Sequence, residues 1–243
     1  MSTNSARKAS ASRPPVKPAA PKKKERSRLP LVGAVVVVVV VVLVGAVIIT
    51  AATRKKPATA ANIEQNRPVT VQGTPLPAYD DSAADPAVGT AAPIIHGQSF
   101  DGTPETVGGP TSQPTLVMFV AHWCPHCQAE VPRLQDWLDQ NGMPSDVQLT
   151  AVATANTDQR ENFPAGPWLR EAGWSIPTMI DNQGTADGGG NDAARAVGVS
   201  AYPFFVVVDA QGKVVFRTSG EVTMPQWEQL LDSARTGQAP AGS

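Results

Sequence analysis

The chain has 243 residues, about one and a half average domains, and its 20 Lys+Arg against 21 Asp+Glu leave a formal net charge of -1. That balance hides a division: residues 1–28 hold nine basic residues and one acid, residues 54–56 add three basic ones, and the chain from Pro57 onward holds eight basic and 20 acidic residues. Such a chain is not one soluble domain with a uniform surface, and its acidic C-terminal part would repel phosphates, which argues against nucleic acid as a partner.

Residues 1–28 are rich in Ser, Ala, Pro and Lys and are expected to form a disordered basic tail, because they hold too little apolar surface to bury a core. Lys22–Lys24 read as a topology signal or, alternatively, as an attachment to anionic lipid. Residues 29–53 carry no charge, and Leu31–Ala52 is almost wholly Val, Leu, Ile, Ala and Gly. At about 1.5 Å per residue this stretch spans roughly 33 Å, enough for a hydrocarbon core of about 30 Å. A single transmembrane helix is therefore expected, in the manner of a signal anchor. A cleaved signal peptide ending at Thr50-Ala51-Ala52 is the competing interpretation, although its apolar core is normally only about 7–15 residues long. The excess of basic residues before the span puts the N-terminus in the cytoplasm and everything after residue 53 outside the plasma membrane.

Residues 54–88 are Pro- and Ala-rich and read as an extended tether. A globular domain is expected over 89–236, followed by a disordered tail over 237–243. Ile94–Ile95 and Thr103–Val107 read as short strands around Asp101-Gly102. Thr115–Ala121 is a continuous apolar run, as in a strand buried on both faces. Pro125–Asn141 reads as a helix with Val131, Leu134 and Leu138 on one face and Gly142 as its stop. Val147–Ala153 is a further strand, Pro167–Ala172 a short helix and Pro177–Ile180 a short strand. Phe204–Val208 and Lys213–Thr218 form a hairpin around Asp209–Gly212, and Pro225–Ala234 is a closing amphipathic helix. The order implies an α/β fold whose mixed central sheet is flanked by helices. The stretch from Asn156 to Trp174 reads as a surface helix with Trp168 and Trp174 packed, the alternative being a substrate-facing loop near the cysteines. The Gly188–Gly190 run reads as a flexible turn, since no Gly-Lys-Ser/Thr follows it.

The chemistry lies in the only two cysteines, Cys124 and Cys127, which form a Cys-x-x-Cys unit directly after a buried strand and at the start of a helix. Free N–H groups and the helix dipole at that position favour a thiolate on Cys124. Cys127, one turn further on and more buried, is the less ionised partner. Cys124 is thus the expected nucleophile and Cys127 the residue that resolves the mixed disulfide. Two other interpretations remain open. A permanent structural disulfide suits an exported domain, but so small a loop restrains the unfolded chain little. A copper(I) or zinc module is the other, drawing on His122, Cys124, His126 and Cys127, although no second cysteine pair exists. Haem attachment is excluded because Gln128, not His, follows the second cysteine.

The segment from Phe119 to Pro132 resembles the thioredoxin-fold signature, and within that superfamily it is similar to membrane-anchored TlpA/ResA-type thiol–disulfide oxidoreductases. Trp123, Cys124, Cys127, Glu130 and Pro132 match the pattern W-C-x-x-C-x-x-E-x-P. Val88–Pro93 looks like the family's V-G-x-x-A-P opening, and Gly198–Phe204 with Asp209 and Gly212 looks like its G-V-x-x-x-P…D-x-x-G block. The resemblance covers residues 88–236. It implies a thioredoxin-like fold and a cis Pro203 beside the dithiol, with the backbone of Tyr202 free to pair with a substrate strand; an ordinary trans proline opening the next strand is the alternative. Trp123 becomes an aromatic platform next to the sulfur, or else simple core packing. No cofactor is implied, but a membrane redox partner is, together with exported or membrane proteins as the source of thiols and disulfides.

Two departures matter. Where thioredoxins carry a buried acid six residues before the first cysteine, this chain has Met118, so proton transfer at Cys127 falls to water or to Glu130. Pro125-His126 makes the active site similar to the Cys-Pro-His-Cys of DsbA-type oxidases, with His126 stabilising the thiolate and hence the reduced state. Only 75 residues separate Cys127 from Pro203, too few for the helical domain of those oxidases. The dipeptide favours oxidation as the working direction and the overall architecture favours reduction.

Overall fold

Strand β4 (Thr115–Val120) is buried along its whole length, and its side chains divide by the two-residue strand period. Leu116, Met118 and Val120 enter one apolar cluster; Val117 and Phe119 enter another on the opposite face. β7 (Phe204–Val208) divides in the same way, Phe205 and Val207 to the first cluster, Phe204, Val206 and Val208 to the second. The sheet therefore separates two cores and needs cover on both sides. The computed structural model of the protein describes residues 64–185 and 189–240.

Among the described residues eight strands build the sheet: β1 (Thr70–Gln72), β2 (Ile94–Ser99), β3 (Pro104–Val107), β4, β5 (Gln148–Ala153), β6 (Thr178–Ile180), β7 and β8 (Val214–Ser219). Their order is β1-β2-β6-β5-β4-β7-β8, with β3 paired to β2. β4, β5 and β6 run parallel, and the β2–β6, β4–β7 and β7–β8 pairs are antiparallel. On the first face lie α1 (Pro125–Asn141), through Val131, Leu134 and Leu138, and α4 (Met224–Thr236), through Trp227, Leu230, Leu231 and Ala234. α2 (Ala165–Glu171) adds Leu169 to that core, with Trp168 and Trp174 packed half-buried against it. The second face is covered by α3 (Asp192–Ala196), through Ala193, Ala194 and Ala196, and by Leu76 and Ala87.

Helix ends follow local chemistry. α1 begins at Cys124 with Pro125 in its first turn and ends at Gly142, whose φ of 79° suits a residue without Cβ and whose N–H reaches Leu138 O at 2.7 Å. α4 opens on a capping box in which Gln226 Oε1 accepts from Thr223 N at 2.8 Å.

Two features differ from the expectations. Residues 64–88, assigned to a tether over 54–88, belong to the folded part: β1 pairs Thr70–Gln72 with His96–Ile94, and Ala87 is fully buried. The clasp is Arg217, buried on β8, which donates to Asp85 Oδ2 at 2.8 Å, Pro77 O at 2.9 Å and Val197 O at 2.8 Å. A Pro-rich stretch with no periodicity carries no mark of a partner more than a hundred residues away. α3 was also not expected. Its cap comes from Asp181 at the end of β6, whose carboxylate accepts from Ala193 N at 3.0 Å and Ala194 N at 3.1 Å. The tail over 1–28 and the span over 29–53 lie outside the described residues; among the described residues no helix is long and apolar enough to cross a membrane.

Asp85→Ala is expected to cost about 3–5 kcal/mol, because it leaves the buried Arg217 guanidinium without its counter-charge. Urea denaturation measures this, and a loss below about 0.5 kcal/mol, as at a neutral surface site, would show that the 77–87 segment is not part of the core.

Candidate active site

The buried strand β4 ends at Val120 and the chain turns into α1 within four residues, so Cys124 sits at the helix N-cap and Cys127 in its first turn. The turn is closed by Cys124 N to Ala121 O at 3.0 Å, and the helix opens with Gln128 N to Cys124 O at 3.0 Å. Both sulfurs are free thiols. Their surroundings differ: Cys124 retains 7% exposure and Cys127 none. Burial pushes the Cys127 thiol well above the ordinary range, and the nearby Cys124 and Glu130 charges add to the rise. The Cys124 side chain makes no capping hydrogen bond, and as the N-cap residue it lies at the end of the helix where the first-turn N–H groups have no partner within the helix.

The second wall is the loop before β7. The Tyr202–Pro203 bond is cis, and Cys124 Sγ donates to the Tyr202 carbonyl at 3.3 Å. Burial raises the Tyr202 hydroxyl to about 12. The Trp123 ring meets Tyr202 edge-on at 6.0 Å between centroids, and its Nε1 donates to Ala155 O at 3.0 Å. Arg160 lies over the same indole, 4.8 Å from the ring centroid. Trp123 is thus half-buried, pinned at its nitrogen and flanked by a cation. Pro125 and His126 are exposed at the rim.

Glu130, one turn beyond Cys127, is fully buried. Its Oε2 pairs with Arg133 Nη2, while Oε1 is buried without a hydrogen-bond partner. Burial raises this carboxyl to about 7, with the Arg133 guanidinium pulling the other way. A carboxyl shifted toward neutral pH by burial therefore lies one helical turn from the buried thiol, in a chain whose strand position 118 is an apolar Met with 2% exposure.

The metal interpretation is corrected by the histidines. His122 is fully buried, and both of its ring nitrogens are committed: Nδ1 lies 2.7 Å from Glu161 O, and Nε2 accepts from Thr157 N at 3.2 Å. Burial lowers its pKa, as befits a neutral structural ring. The Nδ1 of His126 is directed at Glu221 Oε1, 2.7 Å away. Among the described residues, no group of three or more His, Cys, Asp or Glu side chains is arranged to hold a metal ion.

Arg133, Glu221 and Gln65 were absent from the expected site. Arg133 was legible in principle, three residues from Glu130 on one helical face. Glu221 is 95 positions from His126, and no local pattern points to it. Gln65, on the N-terminal segment, accepts from Asn156 Nδ2 at 2.7 Å and from Gly166 N at 3.0 Å, bracing the loop that holds Trp123.

The model of the Redoxin family matches residues 87–231. Sporulation thiol-disulfide oxidoreductase A of Bacillus subtilis (strain 168) is 22% identical over 121 residues, covering 49% of this chain and 67% of that protein. Among solved structures, the thioredoxin-like superfamily protein SPOA0173 is 18% identical, with a TM-score of 0.50, over 62% of this chain and 99% of that one. StoA from Bacillus subtilis is 18% identical with a TM-score of 0.46, covering 60% of this chain and 99% of that one. The SPOA0173 match shows a thioredoxin-like fold.

The buried carboxyl makes a pH prediction. With its folded value raised to about 7 from an ordinary value near 4.5, Glu130 binds its proton more tightly in the folded chain. Stability is therefore lost as pH rises from about 4.5 through 7, by of order 3 kcal/mol. In Glu130→Gln that slope is expected to disappear from denaturation curves taken between pH 5 and 8. A slope unchanged by the substitution would contradict the assignment.

Proposed function

This chain belongs to the Redoxin family, and we propose that it is a thiol–disulfide oxidoreductase that exchanges disulfides with exported or membrane proteins through Cys124 and Cys127. The observation that carries the proposal is the asymmetry of the dithiol. One sulfur lies at the mouth of a helix N-terminus against the Tyr202 carbonyl, and the other is sealed in the core one turn later. The uncharged stretch over 29–53 and the basic residues before it support an anchored, extracytoplasmic placement, with the thioredoxin-like domain outside.

In the reducing direction the Cys124 thiolate attacks one sulfur of a substrate disulfide. A Cys124–substrate mixed disulfide forms and the other substrate sulfur leaves as a thiolate, taking a proton from solvent. Cys127 then gives its proton to Glu130 and attacks Cys124 Sγ. The intramolecular disulfide forms, and the second substrate thiolate leaves and is protonated. Two electrons and two protons have passed to the substrate, and a redox partner with its own dithiol restores the starting state. The reverse sequence oxidises a substrate dithiol by the same contacts. Trp123, Pro125 and His126 form the rim on which a partner polypeptide docks, beside Tyr202 and Pro203.

The roles are tested with insulin as the disulfide substrate. Cys127→Ser is expected to accumulate an adduct that runs at the summed mass on a non-reducing gel, and Cys124→Ser is expected to form none. Equal trapping by the two variants, or trapping by neither, would overturn the assignment.

A further inference from the structure

We propose that Glu221, in the segment between β8 and α4, is a positioning residue for the dithiol: its carboxylate holds His126 at the mouth of the site and shares Arg133 with the buried Glu130. The inference rests on the thiol–disulfide role proposed above and adds a residue to it.

The geometry is a chain of four side chains. His126, two residues after Cys124, directs Nδ1 at Glu221 Oε1 across 2.7 Å. Glu221 Oε2 faces Arg133 Nη1 at 3.5 Å. Arg133 Nη2 pairs with Glu130 and also donates to Val222 O at 2.8 Å. Three of the four lie on α1, and Glu221 alone comes from outside it, so this one side chain links the exposed rim to the sealed carboxyl. The link spans a gradient of burial: the His126 side chain is 66% exposed, Glu221 34% and Glu130 0%.

Each end has a consequence. A carboxylate oxygen carries no hydrogen when ionised, so the His126 ring meets it as a donor through Nδ1. That contact fixes the ring's rotation and leaves Nε2 as its unengaged nitrogen, whereas an unheld imidazole at an exposed helix start would sample several rotamers. At the other end two carboxylates compete for one guanidinium. The groups facing Glu130 are Arg133 and Cys127 from α1, and Glu221 with the Val222 backbone from the β8–α4 segment. Only Arg133 is a cation, and part of its hydrogen-bonding capacity is turned toward Glu221. Neutralising Glu221 removes a nearby negative charge and one competitor for the Arg133 guanidinium, so the buried carboxyl ionises more readily.

The experiment uses the full chain with Glu221→Gln, which preserves size, and Glu221→Ala, which removes the contact altogether. Carboxyl carbon NMR follows the titration of Glu130, ring nitrogen NMR follows His126, and the rate at which Cys127 resolves a preformed Cys124 mixed disulfide is measured against pH. In both variants the Glu130 midpoint is expected to fall by about half a unit, roughly a threefold change in the ionised fraction below the midpoint. The resolution profile is expected to move to lower pH by the same amount, and the His126 ring signals to broaden or shift in Glu221→Ala. A Glu130 midpoint and a resolution profile that both stay within about 0.1 unit of the wild type would overturn the proposal. The two claims fail separately. A wild-type chain that exchanges no disulfide at any pH defeats the function proposed above, while the NMR titrations still decide the role of Glu221.

Discussion

The structure depends on a strand buried on both faces running straight into a helix. β4 lies between two cores, so its register is fixed by side chains on either side, and its last residues deliver the chain to α1 with little freedom. The helix start then does two things at once. Its first turn places Cys124 where free amide groups and a trace of solvent meet, and its period carries Cys127 back beneath the surface. A difference between two chemically identical side chains thereby starts from backbone geometry. Burial supplies the energetic part, since removing a thiol from water disfavours its charged form.

What surrounds the dithiol comes from distant parts of the chain. The Tyr202–Pro203 loop approaches from the start of β7, the Trp123 indole is held by Ala155 after β5, and the loop carrying Ala155 is braced by Gln65 near the beginning of the described residues. Arg217 performs a similar service on the opposite face of the sheet, tying the 77–87 segment to β8 and to the end of α3. The segment preceding β2 is accordingly part of the domain and reaches the site through hydrogen bonds to its loops. Glu130 sits apart from this bracing. It is a carboxyl kept in the core beside the Arg133 guanidinium, an arrangement that lowers stability as pH rises.

Much of this was legible in the sequence because the signals were local. The apolar run Thr115–Ala121, the helical spacing of Val131, Leu134 and Leu138, the Asp209–Gly212 turn and the placement of Cys124 after a strand each sit within one window of the chain. Elements fixed by distant partners were not legible. β1 is three residues among prolines and exists through its pairing with β2. α3 follows a glycine run and is capped by Asp181, and Glu221 meets His126 only once the hairpin and α4 are in place. The histidines show the same limit in reverse. His122 and His126 lie close to the cysteines in sequence and suggest a ligand set, yet one ring is absorbed into backbone hydrogen bonds and the other is turned to a carboxylate.

The unequal environments of the two sulfurs are tested most directly by limited alkylation of the reduced chain with iodoacetamide, read by mass spectrometry between pH 6 and 8. Labelling at Cys124 is expected to exceed labelling at Cys127 by about tenfold or more throughout that range, because one thiol is reachable and set among amide donors while the other is sealed. Equal labelling of the two cysteines in the folded protein would contradict the account.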